Sequence, residues 1–227
     1  LSFICFDIVM KKGNTIMRFF KILNEDDIKV CLKSIKQHNF KDGKRTQSEE
    51  GMKSNTEATS IPDDVRKVVT NRLYDTYYMD SVYCPTRVSV NFYNQYKKDD
   101  YYDLHIDEFK AQPKSNNVFF DYGFSINLED DYEGGEFILQ TPVGQITKKL
   151  KAGEMAIFPI IYPHGVAKIT KGVRKNIVGW LSTNISYEQS YILHNLYDVS
   201  SYMVSVQKDM FTKANLIQNY LKKEWSK

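Results

Sequence analysis

The chain has 227 residues, 42% hydrophobic and 26% charged, which suits a folded globular protein and excludes wholesale disorder. Its formal net charge of +3 is too mild to imply nucleic acid or an anionic membrane as a partner, and no stretch approaches the ~20 apolar residues that span a bilayer. The 31 aromatic residues stand against only 4 histidines, so the place of each histidine is informative.

The opening Leu1–Met10 is apolar but broken by Asp7, and the basic pair Lys11-Lys12 follows it. A secretory signal has the reverse order, so a cytoplasmic protein with no membrane segment is expected. Cys5, Cys31 and Cys84 are odd in number, widely spaced and form no CxxC pair, as expected of reduced thiols in an intracellular protein. Asn24 is placed to cap a helix whose Ile28, Cys31, Leu32 and Ile35 form one apolar stripe. Residues 38–60 are polar and without apolar periodicity, which predicts a long surface loop, weakly held and able to act as a lid. Pro62 then opens a second helix, with Val65, Val68, Val69 and Leu73 on its buried face.

After Cys84-Pro85 the pattern changes. Segments 87–96, 116–128, 135–141, 145–150, 154–160, 164–170 and 174–183 are short and rich in β-branched or aromatic residues. Between them lie the turn pairs Asp130-Asp131, Gly134-Gly135, Val143-Gly144, Ala152-Gly153 and Lys171-Gly172. Strands this dense, with no helical pattern between them, predict an antiparallel sandwich or barrel. From Tyr187 a helical period returns through Tyr191, Leu196 and Val199, and again through Ile217, Tyr220 and Leu221. The expected fold class is mainly β with flanking helices. One domain is expected over 1–227, with helical support and a loop in 1–83, a β core in 84–183 and helices in 184–227.

Two histidines fall inside the strand region. In His105-Ile106-Asp107 the imidazole and carboxylate are two residues apart, so an extended strand would project both to one face. His164 opens a later strand. Two imidazoles and one carboxylate are the ligand set of a facial triad, which leaves three adjacent positions of an octahedral Fe(II) open. An HxD tripeptide carries little weight alone. Arg174, on the next strand, adds a permanently charged fork suited to gripping a carboxylate, although an isolated Arg is more often an ordinary surface residue. Trp180 shares its face, because the separation is even. Other features have structural readings. His38 and His194 are expected to be structural or solvated, Gly134-Gly135 a hairpin turn, and the tyrosine runs amphipathic packing. The Asn184-Ile185-Ser186 sequon reads as chance, and the lysine-rich tail as a solvated face.

His105-Ile106-Asp107, His164, Arg174 and Trp180, with DYEGGEF (131–137), LKAGEMAIFP (150–159) and GVRKNIVGWLST (172–183), resemble the 2-oxoglutarate- and iron(II)-dependent dioxygenases. Within these the pattern is similar to the prolyl 4-hydroxylase branch, especially its bacterial PKHD-type hydroxylases, over roughly residues 39 to 206. The resemblance implies a double-stranded β-helix, the cupin-like jelly roll. It implies His105, Asp107 and His164 as iron ligands and Arg174 as the partner of the C5 carboxylate of 2-oxoglutarate. Tyr93 would hydrogen-bond the co-substrate, although its gap to the first His is about two residues longer than in the family. Phe137 and Trp180 would wall the pocket, and Tyr102 would lie near the substrate entrance. Asn127 stands at a co-substrate position where animal oxygen-sensing relatives carry tyrosine.

The implied activity is hydroxylation of a prolyl or similar residue of a peptide or protein, with Fe(II) as cofactor, 2-oxoglutarate and O₂ as co-substrates, and ascorbate as a further ligand. Two alternatives are a nucleic-acid demethylating oxygenase and a non-catalytic metal-binding jelly-roll sensor. The first carries a second arginine where this chain has Trp180, and the mild net charge disfavours it as well. Against the second, all three ligand types and Arg174 are retained.

Overall fold

A strand that sequence patterning misses comes first in the computed structural model of the protein, which describes residues 17–36, 39–46, 52–58, 60–107, 119–142 and 144–225. This strand, β1 (Arg18–Lys21), leads into α1 (Glu25–Ile35). Asn24 caps the helix as expected. Its side chain accepts from the Asp27 N–H at 2.9 Å, and the Asp27 carboxylate accepts from the Asn24 N–H at 3.0 Å. The acidic first turn also complements the helix dipole, while Cys31 and Ile35 are buried.

The polar stretch expected to be a loose loop is built into the sheets. Its described residues form β2 (Phe40–Asp42), a 3₁₀ turn (Gly43–Thr46), β3 (Lys53–Ser54) and β4 (Thr56–Ala58). His38 lies outside the described residues, as does Cys5. Next come α2 (Asp63–Asp75), with Val65, Val69 and Leu73 buried, and the short α3 (Tyr77–Val82). The long strand β5 (Pro85–Tyr96) is followed by β6 (Tyr101–His105), β7 (Tyr122–Asn127) and β8 (Tyr132–Gly134). Then follow β9 (Phe137–Thr141), β10 (Gly144–Lys148), β11 (Glu154–Pro159), β12 (His164–Val166) and β13 (Ile169–Gly172). The chain closes through β14 (Arg174–Thr183), α4 (Tyr187–Val206) and α5 (Lys208–Trp225).

The strands form a seven-stranded sheet in the order β1-β11-β7-β14-β5-β4-β2 and a five-stranded sheet in the order β10-β9-β12-β6-β3, with a two-stranded ribbon β13-β8. The pairings are antiparallel, as expected from the absence of intervening helices. A large apolar cluster lies between the seven-stranded sheet and α1, α2 and α3, drawing in Leu23, Cys31, Val69, Leu73, Tyr93, Phe124, Ile157 and Ile177. A second, with Phe19, Phe137, Leu139 and Phe158, lies in the barrel. No helix among the described residues is long and apolar enough to cross a membrane.

Residues 53–58 tie the two sheets together. Lys53 pairs with Tyr102 of β6 in the smaller sheet, and Thr56 pairs with Gln95 of β5 in the larger. What this segment buries is mostly polar, Lys53, Asn55 and Glu57, with Ala58 beside them. Lys53 (5% exposed) donates to the carboxylate of Glu57 (1% exposed), and the Thr46 hydroxyl lies 3.0 Å from Lys53 Nζ and from both Glu57 oxygens. Apolar periodicity cannot register a segment anchored by a charge pair.

Gly134-Gly135 departs from the expected hairpin. β8 pairs with β13 and β9 with β10 and β12, so the two glycines, at φ 73° and 67°, pass the chain between sheets. The C-terminal helices follow the apolar period only in part: Tyr191 packs on the large cluster, Val199, Ile217 and Tyr220 are at least half exposed, and Ser190, His194 and Gln218 are buried. Arg18 explains part of this, since its buried guanidinium reaches His194 and sits 3.1 Å from Asp198.

Candidate active site

His105 ends β6 directly opposite His164 at the start of β12, which brings the two rings to 4.4 Å between centroids. Because the strand stops at His105, Asp107 lies beyond it rather than on it. Its carboxylate nevertheless returns between the rings, with Oδ1 3.4 Å from His105 Nε2 and Oδ2 3.4 Å from His164 Nε2. The ligand-type atoms of the three residues lie within 4.8 Å of one another, a grouping able to hold a metal ion.

Both imidazoles are oriented in the same way. His105 Nδ1 lies 2.9 Å from the Asp103 carbonyl and His164 Nδ1 3.2 Å from the Tyr162 carbonyl, each two residues upstream. A carbonyl only accepts, so each Nδ1 carries the proton and each Nε2 offers its lone pair to the centre of the cluster. Burial disfavours a charged Asp107, yet the polar groups around it hold the carboxyl well below the usual carboxylate range.

Aromatic side chains fix these groups. Tyr102 stacks on His105 at 3.7 Å with the planes 10° apart. Three residues apart on a regular strand, they would face opposite ways. A bulge in the β6–β12 pairing, where His164 faces His105 but Val166 faces Tyr102, returns the tyrosine to the same side. Lys53 Nζ lies 4.8 Å from the Tyr102 ring centroid. Phe158 and Phe137 pack on His164 at 4.5 and 6.3 Å. Trp180 does more than wall a pocket: its indole N–H donates to Asp107 Oδ2 at 2.7 Å.

Arg174 begins β14 and shares the face of Trp180, the face that reaches Asp107. It is fully buried. Its Nη2 lies 3.4 Å from Ser125 Oγ, and its guanidinium carbon sits 5.5 Å from the Tyr96 ring centroid. Its Nε and Nη1 are buried without a hydrogen-bond partner, an arrangement that leaves two donors of a buried cation available to an anion. Around it, Asn176 donates to Ser125 Oγ at 2.9 Å, and Asn127 donates to the carbonyls of Leu150 at 2.9 Å and Glu129 at 2.5 Å.

The structure does not bring Tyr93 to this site. Tyr93 pairs with Ile177, on the opposite face of β14 from Arg174, and packs against Phe40 in the large apolar cluster. The tyrosine facing Arg174 is Tyr96, its register partner. The overlong gap from Tyr93 to His105 was the available signal, since a later tyrosine shortens it. Tyr132, also absent from the expected set, is drawn in beside Arg174 and Asn127; burial raises its phenol and Arg174 opposes the rise.

Comparison with known proteins agrees with this architecture. Residues 89–182 match the family model described as the 2OG-Fe(II) oxygenase superfamily. A PKHD-type hydroxylase of Idiomarina loihiensis is 24% identical over 221 residues, covering 93% of this chain and 99% of that protein. The PKHD-type hydroxylase YbiX of Escherichia coli is 22% identical over 219 residues, covering 90% and 96%. Among solved structures, a prolyl hydroxylase from Trichoplax adhaerens, in complex with a hypoxia inducible factor peptide fragment, superposes with a TM-score of 0.58 at 15% identity, covering 78% of this chain and 86% of that one. HygX of Streptomyces hygroscopicus, with nickel and 2-oxoglutarate bound, gives 0.55 at 11% identity, covering 75% and 84%. These neighbours share the jelly-roll core. With the match spanning the strands that carry the cluster and Arg174, the chain is similar in this region to the 2OG-Fe(II) oxygenase superfamily and, over most of its length, to proteins named PKHD-type hydroxylases.

Proposed function

We propose that this chain is an oxygenase that hydroxylates a prolyl or similar side chain of a peptide or protein, with His105, Asp107 and His164 holding Fe(II) and Arg174 holding the C5 carboxylate of 2-oxoglutarate. The observation that carries this reading is the buried Arg174 guanidinium with two unpartnered N–H groups, on the same strand face as the tryptophan bonded to Asp107. A buried cation left incompletely bonded is costly, and a dicarboxylic co-substrate offers the matching anion. When bound, Fe(II) and 2-oxoglutarate would supply the oxidising chemistry, in which O₂ and the 2-oxo acid yield succinate, CO₂ and a hydroxylated C–H.

The chain's own residues bind and orient. The imidazoles offer neutral Nε2 atoms, and Asp107 supplies a negative charge that offsets part of the metal's. Arg174 fixes the far end of the co-substrate. Phe137, Phe158 and Trp180 exclude water from the space between. Asn127, held through its Nδ2 by backbone carbonyls, keeps an unpartnered Oδ1 on the same wall. Tyr102, stacked on His105, would lie on the side where a peptide arrives. The hydroxylase names of the relatives support hydroxylation, and the peptide bound to the Trichoplax prolyl hydroxylase supports a prolyl peptide as the substrate.

The test is peptide-array turnover with Fe(II) and 2-oxoglutarate, reading products 16 Da heavier by mass spectrometry and succinate alongside. Hydroxylated proline-containing peptides with wild type and none with Asp107→Ala are expected. Succinate release stimulated by a methylated oligonucleotide, with no peptide product, would replace the reading with nucleic-acid demethylation. Absence of succinate with metal and 2-oxoglutarate both bound would replace it with a sensor.

A further inference from the structure

Carboxylates bind metal ions through one oxygen or through both. Nothing in the three clustered side chains alone decides which mode Asp107 adopts. Its two oxygens are placed alike, each 3.4 Å from the Nε2 of one histidine. Nor does the backbone decide it, because β6 has ended at His105 and Asp107 is not held in a ladder. One contact breaks the symmetry: the Trp180 indole N–H on Oδ2 at 2.7 Å.

That donor is well fixed. Trp180 lies on β14, which is paired on both sides, with β5 and with β7. Its ring meets Phe92 edge-on at 5.9 Å and lies roughly parallel to Phe120, also at 5.9 Å. An N–H to an ionised carboxylate is a short, charge-assisted bond, and it engages lone-pair density that a second metal–oxygen bond would need.

We infer that Trp180 is a positioning residue that commits Asp107 to one-oxygen coordination through Oδ1. This rests on the ligand reading of Asp107 proposed above. Two imidazoles and one carboxylate oxygen occupy three positions of an octahedral ion and leave three. A chelating 2-oxo acid takes two and O₂ needs the third, so a second oxygen from Asp107 would obstruct one of them. The indole therefore protects a coordination position without touching the metal.

The test uses the full-length, metal-free protein loaded with Co(II) under oxygen-free conditions. Trp180→Phe removes the N–H. A second protein, with Trp180 replaced by 3-benzothienylalanine, removes it while keeping the bicyclic shape, so loss of packing is controlled. Both should bind Co(II) with an altered visible spectrum, reporting the extra oxygen. Both should bind 2-oxoglutarate and pyruvate more weakly by the same factor, roughly tenfold, because what is lost is metal access common to the two acids. Wild-type affinity for both acids in the benzothienyl protein would overturn the inference. So would a loss confined to 2-oxoglutarate, which would make Trp180 part of the distal carboxylate pocket. Co(II) affinity unchanged in Asp107→Ala would instead overturn the ligand reading beneath it.

Discussion

Arg174→Ala should separate co-substrate recognition from metal binding. Arg174 is fully buried, yet its Nε and Nη1 have no hydrogen-bond partner and its Nη2 meets Ser125 Oγ at a long 3.4 Å. The free protein therefore loses few electrostatic contacts on truncation. The complex loses two N–H donors to a carboxylate, each worth about 1.5–3 kcal/mol, and leaves that carboxylate stranded in a buried pocket. A net loss of about 3–4 kcal/mol corresponds to two to three orders of magnitude in affinity. Titration of 2-oxoglutarate into metal-loaded, oxygen-free protein reads this directly. Pyruvate, which keeps the chelating end but lacks the distal carboxylate, should bind wild type poorly and hardly notice the substitution. Arg174→Lys should be intermediate, keeping the charge but losing the fork. Metal affinity should stay near that of wild type. Equal weakening of both acids by Arg174→Ala would refute the carboxylate assignment.

Three further outcomes follow from the packing. Lys53→Met removes the nearer of the two cations on the buried Glu57 carboxylate, leaving Arg45 Nη2 at 3.8 Å, and should cost about 1–3 kcal/mol in denaturant unfolding. Lys53→Met combined with Glu57→Leu should recover most of that loss, and a double variant no more stable than the single one would contradict the argument. His194, pushed down to about 3 by burial and by the Arg18 guanidinium, stays neutral in the fold, whereas the unfolded imidazole takes a proton near 6.5. The unfolded state thus binds the extra proton as pH falls below 6.5, and stability should drop by about 1.4 kcal/mol per pH unit until about pH 3. His194→Gln should flatten that slope in unfolding curves taken between pH 4 and pH 6.5. Asp198 and Tyr78, which also face this histidine, remain in the variant. Gly153→Ala should lower stability by about 1–3 kcal/mol on thermal unfolding, since φ there is +78° and a Cβ would meet the Leu23 carbonyl oxygen at 2.3 Å.

Much of this molecule was readable from residue order because the relevant signals are local or scarce. With four histidines in the chain, the two in the strand region stood out, and strand spacing put Arg174 and Trp180 on one face. The capping Asn24 and the valines of α2 were equally plain. What stayed hidden depended on contacts between distant segments. Register decides that Tyr96 rather than Tyr93 meets Arg174, and a bulge in the pairing decides that Tyr102 meets His105. The anchoring of 53–58 was invisible because its buried residues, Ala58 apart, are Lys53, Asn55 and Glu57. In α4 and α5 the buried side combines Leu193 and Ala214 with Ser190, His194 and Gln218, so apolar period alone does not mark it.

The short run Lys53–Ala58 also has a consequence for how the chain reaches its native state. β3 and β4 lie next to each other in sequence, but both pair with strands that lie some forty to fifty residues further on, β6 and β5. Loop closure for the two pairings is shared, and neither pairing can form before its partner strand is in place. Until the run docks, β6 is an open edge of one sheet and β5 an open edge of the other. Open strand edges are templates for pairing with a second chain. One small piece of chain therefore guards two sites of misassembly at once, and a substitution that slows its docking would raise aggregation during refolding even where the finished protein remained stable.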